Sequence, residues 1–114
     1  MAFTFVAVTN DPVTGLQTLT ASTDTSSAAG SFTLGFKPRR ITVYQKTTPA
    51  EYGWFEGMTA AHMKKTIAAG TMTQETSNGI TVAATTALTG GPWVVTLGTG
   101  LHTNSAAYHI VCER

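Results

Sequence analysis

Only one cysteine, Cys112, stands in the 114-residue chain. A lone thiol excludes an intramolecular disulfide and any zinc knot built on cysteine pairs. Charge is scarce as well. Charged residues make up 11% of the chain, and seven cations against six anions leave a formal net charge of +1. That balance argues against a nucleic-acid or membrane binder driven by charge, because counterion release needs many clustered cations. It argues equally against disorder, since 42% of the residues are hydrophobic and no charge block keeps the chain expanded. No run approaches the ~20 apolar residues of a membrane helix. Met1-Ala2-Phe3-Thr4-Phe5 lacks the basic start and long apolar stretch of a secretory signal. Synthesis and folding in a cytoplasm are the expectation, and residues 1–114 fit one domain with one core.

Threonine is what the chain has in plenty: 23 of 114 residues. Its β-branched side chain suits strands, and its hydroxyl solvates a strand face without adding charge. Eleven glycines and four prolines punctuate the apolar runs. Phe3 to Thr9 is the first run, closed by Asn10-Asp11-Pro12, and residues 1–10 read as an N-terminal arm or an edge strand. Val13 to Thr20 is a weaker second run, and Ala21 to Gly30 reads as a loop. In Ser31 to Phe36 the residues Phe32, Leu34 and Phe36 share one face. Arg39 to Lys46 alternates again around Ile41 and Val43. The short gap at Lys37-Pro38 predicts a hairpin or a sheet-crossing corner.

Glu51 to Met58 holds three aromatics in four positions, and strand geometry sends Tyr52 and Trp54 one way and Phe55 the other. Thr59 to Ala69 has helical composition but is short, so one or two helical turns is the limit. Thr71 to Thr76 is a Thr-rich run, and Ser77-Asn78-Gly79 marks a turn. Ile80-Thr81-Val82 starts a strand, Pro92 to Leu97 is another, Gly98-Thr99-Gly100 closes it, and Ala106 to Cys112 is the last. Short strands at about ten-residue spacing predict an all-β, single-domain β-sandwich or small barrel of six to eight strands with at most one short helix.

No catalytic set stands out. Cys112 and His109 lie three apart on a strand and project to opposite faces, so Cys112 reads as a small buried hydrophobe. His62, His102 and His109 lack the spacing that puts two imidazoles on one side of an element, so no metal and no cofactor is expected. Glu51 and Glu56 point to opposite faces of an extended strand and read as solvated. Gly98-Thr99-Gly100 lacks the third glycine and following helix of a phosphate loop. Four of the seven cations, Lys37, Arg39, Arg40 and Lys46, fall within ten positions. They read as a protein contact or as the cationic protection of a strand edge. The cluster Tyr52, Trp54, Phe55 and Met58 has the composition of an interface hot spot wherever it is not core.

The order of segments is a further observation. Phe32-Thr33-Leu34-Gly35-Phe36-Lys37-Pro38-Arg39-Arg40-Ile41-Thr42-Val43 is followed by Glu51-Tyr52-Gly53-Trp54-Phe55-Glu56-Gly57-Met58. Ala68-Ala69-Gly70-Thr71, Asn78-Gly79-Ile80-Thr81-Val82 and a closing Ala107-Tyr108-His109-Ile110 come next. Over roughly residues 30 to 112 this order resembles small structural proteins of tailed bacteriophages and prophages that decorate or cement the capsid. The chain departs from that pattern between Ala83 and Gly91, where a better-formed strand ending in an apolar-Gly pair is expected. The resemblance implies a β-rich protein made in the bacterial host cytoplasm and carried on the capsid exterior of the virion. It implies the major capsid protein as partner and a homo-oligomer, with a trimer favoured.

The resulting expectation is a structural protein and not an enzyme, with no direct nucleic-acid or membrane partner. Contacts are expected from Phe3 and Phe5 in an apolar arm over Ala2 to Val8, from Arg39 and Arg40, and from Trp54, Phe55 and Met58. A phage tail or adaptor ring component is the first alternative. The second is a carbohydrate-binding β-sandwich that stacks sugars on Tyr52 and Trp54.

Overall fold

A computed structural model of the chain describes residues 3–11, 15–25, 28–47, 49–67, 70–84 and 93–114. Ten strands form two antiparallel sheets, an all-β fold of the sandwich class. They are β1 (Phe3–Asp11), β2 (Leu16–Thr23), β3 (Gly30–Leu34), β4 (Arg40–Gln45), β5 (Ala50–Phe55), β6 (Met63–Thr66), β7 (Met72–Glu75), β8 (Ile80–Ala84), β9 (Trp93–Leu97) and β10 (Ala107–Glu113). The larger sheet has seven strands in the order β1-β2-β10-β4-β5-β6-β7. The smaller has three, β3-β9-β8.

The alternation of side chains decides which face is inside. On β10, Tyr108, Ile110 and Cys112 are fully buried, and on β4 Ile41 and Val43 are. Leu34, Val95, Leu97 and Ile80 meet them from the smaller sheet to complete the core. The Lys37-Pro38 break is a corner and not a hairpin. β3 lies in the small sheet and β4 in the large one. Phe36 and Pro38 are buried at the crossing.

Two local expectations change. The stretch Thr59 to Ala69 does not make a helical turn over its described residues. It gives a tight turn at Ala61, with φ +66°, and then β6. Met63 is fully buried, and the Ala61 carbonyl accepts from the Gly79 N–H at 2.9 Å. Tertiary contacts outweigh the helix propensity of the alanines and lysines here. The loop expected from Ala21 is a strand as far as Thr23. The Thr23 hydroxyl accepts from the Ala106 N–H at 2.9 Å and donates to the Thr103 carbonyl, which draws the chain into the sheet. Part of the segment Ala83 to Gly91 lies outside the described residues, as do Ala68, Ala69, Ser26 and Ser27.

Two glycines are demanded by close approach. A Cβ at Gly98 would lie 2.4 Å from the Asn78 carbonyl, and one at Gly79 would lie 2.5 Å from the Ala61 carbonyl oxygen. The backbone of the turn at 77–79 therefore locks onto the end of β9 with only backbone between them. A second lock is polar. The Tyr108 hydroxyl donates to the Leu101 carbonyl at 2.7 Å and accepts from the Thr103 N–H at 2.9 Å. Gln45, 1% exposed, accepts from Tyr52 and Thr103 through Oε1 at 3.3 and 3.2 Å. These bonds satisfy buried polar groups that would otherwise each cost about 1–3 kcal/mol.

Candidate interaction face

The residues singled out from the sequence separate into core and surface. Phe3 is 1% exposed; its ring stacks on Phe5 at 5.7 Å and meets His102 edge-on at 5.6 Å. Phe5 packs against Phe32 with ring centroids 5.0 Å apart. The expected apolar arm is thus, over its described residues, an outer strand of the large sheet with two rings turned into the core. Trp54 (6% exposed) and Tyr52 (3%) are core as well, so they form no exposed stacking platform for sugars. Burial of rings this large is worth about 1.5–3 kcal/mol each, which is why β1 and β5 hold them inside.

Arg39 and Arg40 are exposed, but β4 lies between β10 and β5. They therefore do not protect a strand edge. Arg40 donates to Glu113 Oε1 through Nε at 3.1 Å and a terminal nitrogen at 2.8 Å, across the β4–β10 pair. The backbone of Arg39 bonds Glu113 and Glu56. Lys37 pairs with Glu56 at 3.4 Å and lies 5.4 Å from the centre of the Trp93 ring.

Cys112 is fully buried and His109 is exposed on the opposite face. Burial pushes the Cys112 thiol up from 9.0 to about 12, with a smaller contribution from the Glu113 charge, so it is held as a neutral packing group. Among the described residues no three His, Cys, Asp or Glu side chains converge to hold a metal ion, and no helix is long and apolar enough to cross a membrane.

What does converge is a face. Cross-strand pairing places Val6, Thr20, His109, Tyr44, Glu51, Thr66 and Met72 in one row across all seven strands of the large sheet. A parallel row runs through Leu16, Glu113, Arg40 and Phe55. Both rows point away from the small sheet. Val6, Leu16, Tyr44, Phe55 and Met72 are five of the six exposed large hydrophobics among the described residues; the sixth, Ile67, follows directly on β6. From β2 to β7 the outward side chains carry two cations, Arg40 and Lys64, and two anions, Glu51 and Glu113. The face is charge-balanced and hydroxyl-rich, with a few large apolar side chains set among threonines.

Its most sculpted part is a groove of about 370 Å³ lined by Phe55, Met58, Lys64, Met72, Thr73 and Gln74. Gly53 makes it: the Lys64 stem lies 3.5 Å from where a Cβ would stand, and the ammonium reaches 5.6 Å from the centre of the Phe55 ring. Lysine covers apolar surface with its stem while its charge stays wet. Met58 Sδ accepts from the Phe55 N–H at 3.3 Å, which ties the turn after β5 to the groove wall.

The structure thus brings Phe55 and Met58 together, sets Arg40 in the outer row of Phe55, and removes Phe3 and Trp54 into the core. Sequence reading missed Tyr44, Met72 and Lys64. Tyr44 had a signal, since it is out of phase with Ile41 and Val43. Met72 had almost none within its Thr-rich run. No protein-family model matches the chain, and neither a curated protein nor a solved structure does.

Proposed function

We propose that this protein is a structural component of a virion that binds the outer capsid surface and decorates or stabilises the head, without catalysis. The observation that carries the reading is the charge-balanced outer face of the seven-stranded sheet with its exposed Tyr44, Phe55 and Met72. Seven strands about 4.8 Å apart and roughly 20 Å long give a face of about 600 Å², somewhat under the ~800 Å² per partner of a standard stable complex. One such contact is weak, and a lattice of many copies multiplies it. A neutral, hydroxyl-rich exterior also suits dense packing, because neighbouring copies do not repel one another. The segment order that resembles phage decoration proteins points the same way. It makes the major capsid protein the partner and a trimer the favoured assembly.

The test is the copy number of this protein in purified particles from its source, by quantitative mass spectrometry against the most abundant shell protein. Decoration predicts about one copy for each shell subunit. A few copies per particle would move the protein to the tail or a vertex, where a ring holds a dozen or fewer for each layer, and absence from particles would discard the virion reading.

A further inference from the structure

The two sheets are unequal, and the inequality leaves an opening. Among the described residues β1 ends the large sheet and β3 ends the small one, each with a single paired neighbour. Between them lies a cleft of about 790 Å³. Its lining says how it runs. It touches residues 30–33 of β3 and 3–5 of β1, consecutive in each case. Consecutive residues point to opposite faces of a strand, so the cleft follows the strand edges and not one face. From β2 it touches only Gln17 and Leu19, which share the inward face. The cleft is therefore a slot with two sheet edges for walls and the inward face of β2 for a floor.

The walls carry Phe3, Phe5 and Phe32, and no lining residue among those described is charged. Gln17 sits in the floor, 4% exposed, and its Oε1 has no hydrogen-bond partner among the described residues. A buried acceptor left unpaired is unfavourable, so a donor delivered to it is recovered as affinity. The slot is narrowest at the Phe3 end, where a Cβ on Gly30 would lie 2.7 Å from that of Phe3.

We propose that this slot receives an extended, uncharged segment of another protein, which adds a strand along the free edge of β3, turns apolar side chains onto Phe5, Phe32 and Leu19, and presents a hydrogen-bond donor to Gln17. An unpaired strand edge supplies the backbone donors and acceptors that an extended peptide matches, and pockets beside it select alternate side chains. A second copy of this chain is a poorer source, because each of its sheet-end strands carries a whole sheet behind it, whereas a slot walled on both sides admits a single extended chain. The inference does not rest on the virion reading.

The experiment uses the full chain, isotopically labelled, with the end-blocked hexapeptide Thr-Val-Thr-Val-Thr-Val as probe. Amide exchange is expected to slow across residues 30–34, with resonance shifts at Phe5 and Leu19. Gln17→Leu is expected to keep or raise thermal stability and to weaken the peptide about tenfold, the worth of one buried hydrogen bond. Equal affinity in Gln17→Leu overturns the role of the buried amide. Absence of exchange protection at millimolar peptide overturns strand addition. Protection that is present without peptide and lost on dilution overturns the choice of partner in favour of a second copy.

Discussion

On β10, Tyr108, Ile110 and Cys112 have no solvent contact, while His109, on the same strand, is exposed. The same contrast extends across the whole large sheet. Its inner face is an apolar layer closed by the small sheet, and its outer face mixes Tyr44, Phe55 and Met72 with threonines and balanced charge. Both faces hold large apolar side chains, so hydrophobicity alone does not separate them. Enclosure does: inner residues are sealed by a second layer and outer ones are left for something else to cover.

The largest expected effects belong to the inner face. Ile110→Ala should cost about 3–4 kcal/mol by urea denaturation, the range for a large-to-small change at a sealed core site, whereas His109→Ala should stay within about 0.5 kcal/mol. Similar losses at both positions would erase the difference between the faces. Tyr108→Phe comes next. It leaves the Thr103 N–H without its acceptor, and about 1–3 kcal/mol should be lost with the backbone unchanged.

Alkaline pH probes the inner face without mutation. The Cys112 thiol rises from 9.0 to about 12, and the Tyr52 hydroxyl from 10.0 to about 12, both chiefly through burial. In both groups the folded state favours the protonated form. Their stabilising contribution is therefore complete below pH 9 and is lost as pH rises from 9 towards 12. Thermal melts should be flat with respect to these groups up to pH 9 and fall above it. Cys112→Ala should remove the earlier part of that fall. Native Cys112 should also resist a thiol reagent at pH 8 until denaturant is added. The smallest effect belongs to the outer rim: Arg40→Ala, which breaks an exposed pair with Glu113, should cost less than about 1 kcal/mol.

Much of this division is written in the alternation of the strands. Phe32 and Leu34, Ile41 and Val43, and Tyr108, Ile110 and Cys112 announce their inward faces by period alone. The same rule separates Tyr52 and Trp54 from Phe55. What period cannot give is which strands neighbour one another. Arg39 and Arg40 look like edge guards until β4 is found between β10 and β5. Phe3 and Phe5 look like a loose arm until the small sheet is found closing over them. Those facts depend on contacts between residues far apart in the chain, such as Phe5 with Phe32 and Thr23 with Ala106. The segment at 59–69 fails for the same reason, since local propensity favours a helix and Met63 is claimed by the core.

The outer face is the central claim, and Met72 is its natural reporter because it is 64% exposed on the free chain. The measurement is hydroxyl-radical footprinting of the isolated protein and of the protein on purified particles, read by mass spectrometry at Met72, Phe55 and Tyr44. Strong labelling of the free protein that falls severalfold on particles is the predicted result. Equal labelling of these three residues in both states would contradict the claim that this face meets the shell.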